Sequence, residues 1–297
     1  MDPARPIGIL GLGDLGEALA QRLLASGQRV VVFDADAKRR SAVALPRQLA
    51  ETAGNLTDFG AGCEIVLSAL DDVAALRQAA IGDADRPGFA AALPAGALVV
   101  HFGAGPYRDV LRLTGQLGAA GIGLIDALTC AEPAAVAAGR LDMLAGGFGD
   151  HVERIGEALR PLGQVTRIGD TGTATGLASL RSYVRAARLI ALSEALLIGR
   201  HAGIAPETLA RVFDGPIAVG PQCRSIATDM ARAAGAHDLA STSRSVADAV
   251  AFSERIGVSG ECVAFARDML SDALDANAGG DESILVRHFA ALAAAEG

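Results

Sequence analysis

One decapeptide constrains this chain more than any other. Ile7-Gly8-Ile9-Leu10-Gly11-Leu12-Gly13-Asp14-Leu15-Gly16 sets a GxGxxG spacing directly behind an apolar run that reads as a strand. A helical pattern, Glu17–Ala25, opens at once. Glycines at this spacing turn a strand tightly into a helix. Gly11 permits the turn, Gly13 lets the backbone approach a pyrophosphate, and Gly16 lets helix and strand pack closely. The helix start then offers free N–H groups and a positive dipole end to phosphate oxygens. Leu12, Asp14 and Leu15 complete the expected phosphate-binding turn.

The next strand, Arg29–Asp34, ends in an acid 18 residues after Gly16. That is where a carboxylate meets the adenosine ribose hydroxyls of a dinucleotide. Asp34 favours NAD, because a carboxylate repels a 2′-phosphate. Lys38, Arg39 and Arg40 lie one helical turn beyond. They serve either a 2′-phosphate or a solvated helix face, so NADP stays open.

The rest of the first half repeats the theme. Candidate strands are Ile7–Leu10, Arg29–Asp34, Ile65–Leu70, Leu98–His101 and Leu124–Ala127, mostly separated by helical stretches. Gly146-Gly147, a helix near His151–Leu159 and Val165–Ile168 extend the pattern. This predicts an α/β fold, a Rossmann-type doubly wound parallel sheet. After Gly172 the strands stop. A long helical pattern runs from Gly176 to Gly203, followed by helices at Pro206–Phe213, Ser225–Ala234, Leu239–Ile256, Cys262–Ala276 and Glu282–Ala295. The expected domains are 1–170, dinucleotide-binding, and 171–297, all-α. A length of 297 residues with 51% hydrophobic content suits two cores.

Composition narrows the function classes. A net charge of −8 argues against a nucleic-acid binder. Cys63, Cys130, Cys223 and Cys262 stand apart, with no CxxC pair and no Cys/His cluster, so no metal site is expected. Scattered cysteines suit a reducing compartment, and Asp14 and Glu17 interrupt any signal-peptide core, so a cytoplasmic location is expected. Leu177–Ile198 is the longest apolar stretch, but Arg181, Arg185, Arg188 and Glu194 exclude a membrane span. Its apolar residues go nearly all round, so both flanks are expected to be buried, one of them in a homodimer.

The chain resembles the β-hydroxyacid dehydrogenase family, relatives of 6-phosphogluconate dehydrogenase and 3-hydroxyisobutyrate dehydrogenase. Gly11–Ala20, GLGDLGEALA, is similar to the family's GLGxMGxxMA opening. Glu64–Asp72, EIVLSALDD, is similar to its DVVITMLPD strand. Asp126–Gly147 follows the frame of its DAPVSGGxxGAxxGTLTxMVGG stretch without a gap, and Gly279–Ser283 resembles its GxxDxS element. The resemblance implies cofactor contacts at Ala69, Leu70 and Gly103, and substrate contacts at Thr129, Cys130, Glu132 and Arg185.

The departures fall in the substrate half. The family's catalytic lysine stands 16 residues before the glutamate that Glu194 resembles, and that position here is Ala178. The asparagine four residues on is Ser182, and a second family lysine corresponds to Arg244. The carboxylate-binding serine-glycine-glycine is Cys130-Ala131-Glu132, and the DxST after the fifth strand reads His101-Phe102-Gly103-Ala104. Lys38 is the single lysine of the chain. Imine reductases and reductive aminases share this scaffold and lack the lysine, and some carry a stretch similar to Gly176–Leu180. Another subgroup carries a KMIRS helix whose arginine-serine resembles Arg181-Ser182.

Proton transfer must therefore come from elsewhere. Ala178, Ser182 and Arg185 share one helix face, which Arg181 flanks. Arginine stays charged and anchors anions rather than carrying protons. The catalytic candidates are Arg181, Ser182, Tyr183 and His101. The expected function is NAD(P)-dependent hydride transfer to or from a small carbonyl, alcohol or imine. The alternative is a catalytically inactive dinucleotide-binding or scaffold protein.

Overall fold

The structure, a computed structural model, describes residues 5–42, 48–83, 85–129, 131–213, 238–258, 260–277 and 280–295. The chain divides into two compact units, Met1–Ala178 and Ser179–Gly297.

The first unit is an eight-stranded sheet with helices on both faces. Its strands are β1 (Ile7–Leu10), β2 (Val30–Phe33), β3 (Ala50–Thr52), β4 (Ile65–Ser68), β5 (Leu98–His101), β6 (Gly123–Thr129), β7 (Leu141–Gly146) and β8 (Gly163–Gly169). They lie in the order β3-β2-β1-β4-β5-β6-β7-β8. The order reverses between β1 and β4, which opens a crevice above the strands' carboxyl ends. The connecting helices are α1 (Asp14–Ala25), α2 (Ala37–Ala42), α3 (Leu56–Gly60), α4 (Val73–Ile81), α5 (Tyr107–Gly118), α6 (Pro133–Ala137) and α7 (Gly149–Ala158).

Every residue of β1, β2, β4 and β5 is buried. That is why these segments are continuous apolar runs rather than alternations. Successive side chains feed opposite cores. Ile65 and Leu67 join the one that contains Leu19 and Leu23 of α1, while Val66 joins the one that contains Leu113 and Leu117 of α5.

The sheet departs from the all-parallel expectation at one seam: β7 runs antiparallel to β6, with Thr129 opposite Met143. A parallel crossover needs a dozen or more residues, and the described residues 131–140 hold only the five-residue α6. The short strand β3 was not expected from the sequence. It sits at the sheet edge against β2, where three residues suffice.

A long helix, α8 (Thr173–His201), begins in the first unit and ends in the second. The second unit adds α9 (Pro206–Phe213), α10 (Leu239–Arg255), α11 (Glu261–Asp275) and α12 (Ile284–Ala295). No strand occurs among its described residues. The helix expected at Ser225–Ala234 lies outside the described residues. One core joins Leu189 of α8, Val246 of α10, Leu270 of α11 and Leu285 of α12. On the opposite side of α8, Leu180, Val184 and Ile198 are exposed, so among the described residues only one flank of this helix is buried. No described helix is long and apolar enough to cross a membrane.

Candidate functional site

The glycine turn sits at the carboxyl end of β1. Gly11 has φ +90°, a conformation that side-chain-bearing residues rarely adopt, and its N–H donates to the Phe33 carbonyl at 2.8 Å. A Cβ on Gly16 would collide with the Gly11 carbonyl oxygen, far inside the 3.0 Å limit for such contacts. Gly11 and Gly16 are thus demanded by the chain's own packing. Gly13 is not: a Cβ there would meet no atom of the described residues within 4 Å. Gly13 is also the N-cap of α1, and no side chain caps that helix. The first N–H groups of α1, from Asp14, Leu15 and Gly16, have no carbonyl partner within the helix. A cradle kept free of side chains at the positive end of a helix fits a pyrophosphate.

Asp34 follows the last residue of β2 and is buried. Its Oδ2 accepts the Leu12 N–H at 2.7 Å and its Oδ1 accepts the Asp36 N–H at 2.8 Å. The acid therefore anchors the glycine turn and shapes the bend after β2. Arg39 approaches Oδ2 at 3.8 Å while staying exposed. Arg40 donates to the Asp34 and Ala35 carbonyls and lies 5.3 Å from the Phe33 ring centroid. Of the three cations, only Lys38 reads as a plain solvated side chain.

Across the switch point, the loops after β4 and β5 are joined by backbone. Phe102 N–H donates to Ser68 O at 3.0 Å, Ala104 N–H to Asp71 O at 2.9 Å, and Val73 N–H to Ala104 O at 2.9 Å. Ala69 backs the turn, since a Cβ on Gly11 would stand 3.1 Å from its carbonyl. Leu70 and Gly103 meet closely: a Cβ on Gly103 would collide with the Leu70 carbonyl. His101 lies beneath them, 2% exposed, with Nδ1 3.1 Å from Ser68 Oγ. Among the described residues, its Nε2 is buried without a hydrogen-bond partner. Burial lowers the His101 pKa from 6.5 to about 4, against an opposing pull from Asp72, so the ring is neutral at pH 7.

Sequence reasoning singled out no role for Asp126, yet it organises the sheet's far side. It is 1% exposed, and its oxygens accept the N–H groups of Gly172 at 2.6 Å and Thr175 at 2.7 Å. The carboxylate thereby caps the start of α8. Burial raises its pKa, partly offset by these bonds. An acid inside an apolar strand was the available signal. Beyond it, Thr129 Oγ1 accepts the Ala131 N–H at 3.1 Å, and Glu132 is exposed at the start of α6. Cys130 lies outside the described residues.

The remaining expected residues sit on α8 in the second unit. Arg181 is exposed, while Ser182 and Tyr183 are half-buried. The Tyr183 pKa is raised, first by burial and then by Cys262 beside it. Arg185 is engaged inside its own unit: Nη2 donates to Thr242 Oγ1 at 2.7 Å and forms an ion pair with Glu282. Thr242 also donates to Glu282 at 2.8 Å. Among the described residues, no cluster of His, Cys, Asp or Glu suits a metal ion.

The chain is similar to known proteins along most of its length. The family described as the NAD binding domain of 6-phosphogluconate dehydrogenase matches residues 6–172. A 2-(hydroxymethyl)glutarate dehydrogenase of Eubacterium barkeri is 25% identical over 214 residues, which cover 72% of this chain and 69% of that protein. The solved 3-hydroxyisobutyrate dehydrogenase of Salmonella typhimurium superposes with a TM-score of 0.77 at 18% identity, covering 95% of this chain and 99% of the other. An imine reductase of Myxococcus stipitatus, solved with NAD+, superposes with a TM-score of 0.61 at 20% identity, covering 96% and 99%. At these identities the structural likenesses speak for the fold.

Proposed function

The chain belongs to the family of the NAD binding domain of 6-phosphogluconate dehydrogenase, and from that premise we propose how its residues serve an NAD(P)-dependent oxidoreductase. The observation that carries the reading is Gly13, a glycine the protein's own packing does not require, placed at an uncapped helix start. Gly11, Leu12, Gly13, Asp14, Leu15 and Gly16 hold the pyrophosphate. Asp34 faces the adenosine ribose and favours NAD over NADP. Ala69, Leu70 and Gly103 line the other half. A bound nicotinamide would supply hydride chemistry, and the chain's residues would bind and orient it and manage the proton.

The substrate is a small carbonyl, alcohol or imine rather than a simple β-hydroxyacid. Ala178 carries no base, and a general base contributes on the order of 10²–10⁴-fold. An iminium arrives protonated and needs only hydride. Arg181, Ser182 and Tyr183 supply the remaining polar groups on α8, with Thr129, Cys130 and Glu132 as substrate contacts, while Arg185 is held by Thr242 and Glu282. A second copy of the chain covers Leu180, Val184 and Ile198 on the exposed flank of α8, making a homodimer. The protein works in the cytoplasm. A second reading, dinucleotide binding without catalysis, is favoured by Ala178 alone.

Following NAD(P)H absorbance over a panel of β-hydroxyacids, ketones and cyclic imines tests this. Imine or ketone reduction is expected, with β-hydroxyacid oxidation weak or absent. Robust β-hydroxyacid oxidation sinks the substrate assignment. Cofactor binding with no turnover on any substrate supports the second reading, and no binding at all sinks both. Light scattering that shows a monomer at micromolar concentration removes the dimer.

A further inference from the structure

We propose that Ser68 and His101 are a positioning pair for the nicotinamide half of the dinucleotide site, acting through the backbone of Leu70 and Gly103. The inference rests on the dinucleotide reading above and assigns a task to a buried polar pair that the reading does not use.

The pair belongs to a polar row. In the sheet register Ser68 of β4 stands beside His101 of β5, and His101 stands beside Asp126 of β6. All three are at most 2% exposed. Alternation puts them on the same face as Val66, Val99 and Leu124, so a polar layer ends that apolar core at the strands' carboxyl edge. A serine, a histidine and an aspartate in a row resemble a hydrolytic triad in composition only. Ser68 is fully buried, its Oγ meets Nδ1 of the ring, and both Asp126 oxygens are committed to Gly172 and Thr175.

What the row does instead follows from what lies above His101. A Cβ on Gly103 would stand 2.5 Å from Cε1 and 2.6 Å from Nε2 of the ring. The ring is therefore the floor under Gly103, with only a glycine hydrogen between them. The Ser68 hydroxyl fixes the ring's tilt. Gly103 in turn abuts the Leu70 carbonyl, and the loops that carry both are joined by the bonds from Phe102, Ala104 and Val73. The height of this two-loop platform is set from below by the imidazole.

The platform's side of the crevice identifies the half it serves. The acid-tipped strand β2 lies on one side of β1 and takes the adenosine end. The pyrophosphate lies at α1. A dinucleotide that crosses the switch point then extends over β4 and β5. A buried polar atom left unpaired in a folded protein calls for a reason, and His101 Nε2 is such an atom. Retaining a histidine here costs stability, which the packing of Gly103 over its ring explains.

The test compares two ligands that differ in the nicotinamide alone. Calorimetric titration of the full chain with NADH and with ADP-ribose is made for the wild type, Ser68→Ala and His101→Leu. Both variants are expected to bind NADH about 3–10-fold more weakly, the size of one lost hydrogen bond or a small displacement. ADP-ribose affinity is expected to stay within about twofold. Among the five histidines, the ¹⁵N signals of His101 are expected to shift with NADH and not with ADP-ribose. Equal weakening of both ligands, or no weakening of either, overturns the proposal. Should His101→Leu fail to fold, Ser68→Ala, which removes one oxygen, carries the test. A wild type that binds neither ligand overturns the dinucleotide reading itself.

Discussion

The carboxylate of Asp34 accepts the backbone N–H of Leu12 at 2.7 Å, tying the end of β2 to the middle of the glycine turn. One acid therefore shapes the glycine turn and, on the proposed reading, also faces the adenosine ribose. Asp34→Ala is expected to weaken NADH binding tenfold or more, since a charge-assisted bond is worth about 1.5–3 kcal/mol. NADPH binding should fall less, because a repelling carboxylate goes too. Fluorescence titration with both cofactors checks this; parallel losses would assign Asp34 to the turn alone.

Gly13 and Gly16 should separate binding from folding. Gly16→Ala drives a Cβ into the Gly11 carbonyl oxygen, so a loss of about 3 kcal/mol or more is expected in urea unfolding. Gly13→Ala meets no atom of the described residues within 4 Å and should cost less than about 1 kcal/mol. Its dinucleotide binding should nonetheless be abolished. If Gly13→Ala binds NADH normally, the cradle is misread.

The second unit depends on a buried pair of its own. Glu282 is 4% exposed and carries the charge that balances Arg185. Arg185→Ala leaves that carboxylate buried without its cation, the Thr242 hydroxyl still donating to it, and a loss of about 3 kcal/mol is expected. Glu282→Ala leaves a cation with about a third of its side chain exposed, so the cost should be smaller, about 2 kcal/mol. Thermal unfolding of both variants would expose an error if the order reverses.

His101 predicts a pH dependence of stability. Burial holds its folded pKa near 4, below the ordinary 6.5. Between those values the unfolded chain binds a proton that the folded chain refuses. The stability from keeping this ring neutral is present above pH 6.5 and is lost as pH falls toward 4, by up to about 3 kcal/mol. Urea midpoints of wild type and His101→Leu should therefore diverge between pH 7 and pH 4.5, the wild type falling faster. Parallel curves would show that the imidazole is not held neutral.

Much of the first unit was legible in the sequence because its signals are local. A buried parallel strand must be an apolar run, and Ile7–Leu10 and Leu98–His101 agree with the strands observed. Gly11 and Gly16 declare themselves because no side chain fits there. The antiparallel seam was less legible, since the direction of β7 follows from how little chain separates it from β6.

The sequence by itself determined the glycine turn, the acid that ends β2 and the absence of a lysine at position 178. Those are properties of single positions within one strand-turn-helix unit. Only the tertiary structure decided that Asp34 holds Leu12, that Asp126 caps α8, that Ser68 and His101 meet beneath Gly103, and that Arg185 pairs with Glu282. Each joins residues from different elements, 22 apart for Leu12 and Asp34 and 97 apart for Arg185 and Glu282. No residue's type or local spacing names its partner at such separations. The partner is chosen when strands align in register and helices dock, because a buried polar group must then bond to whatever polar group that packing brings beside it.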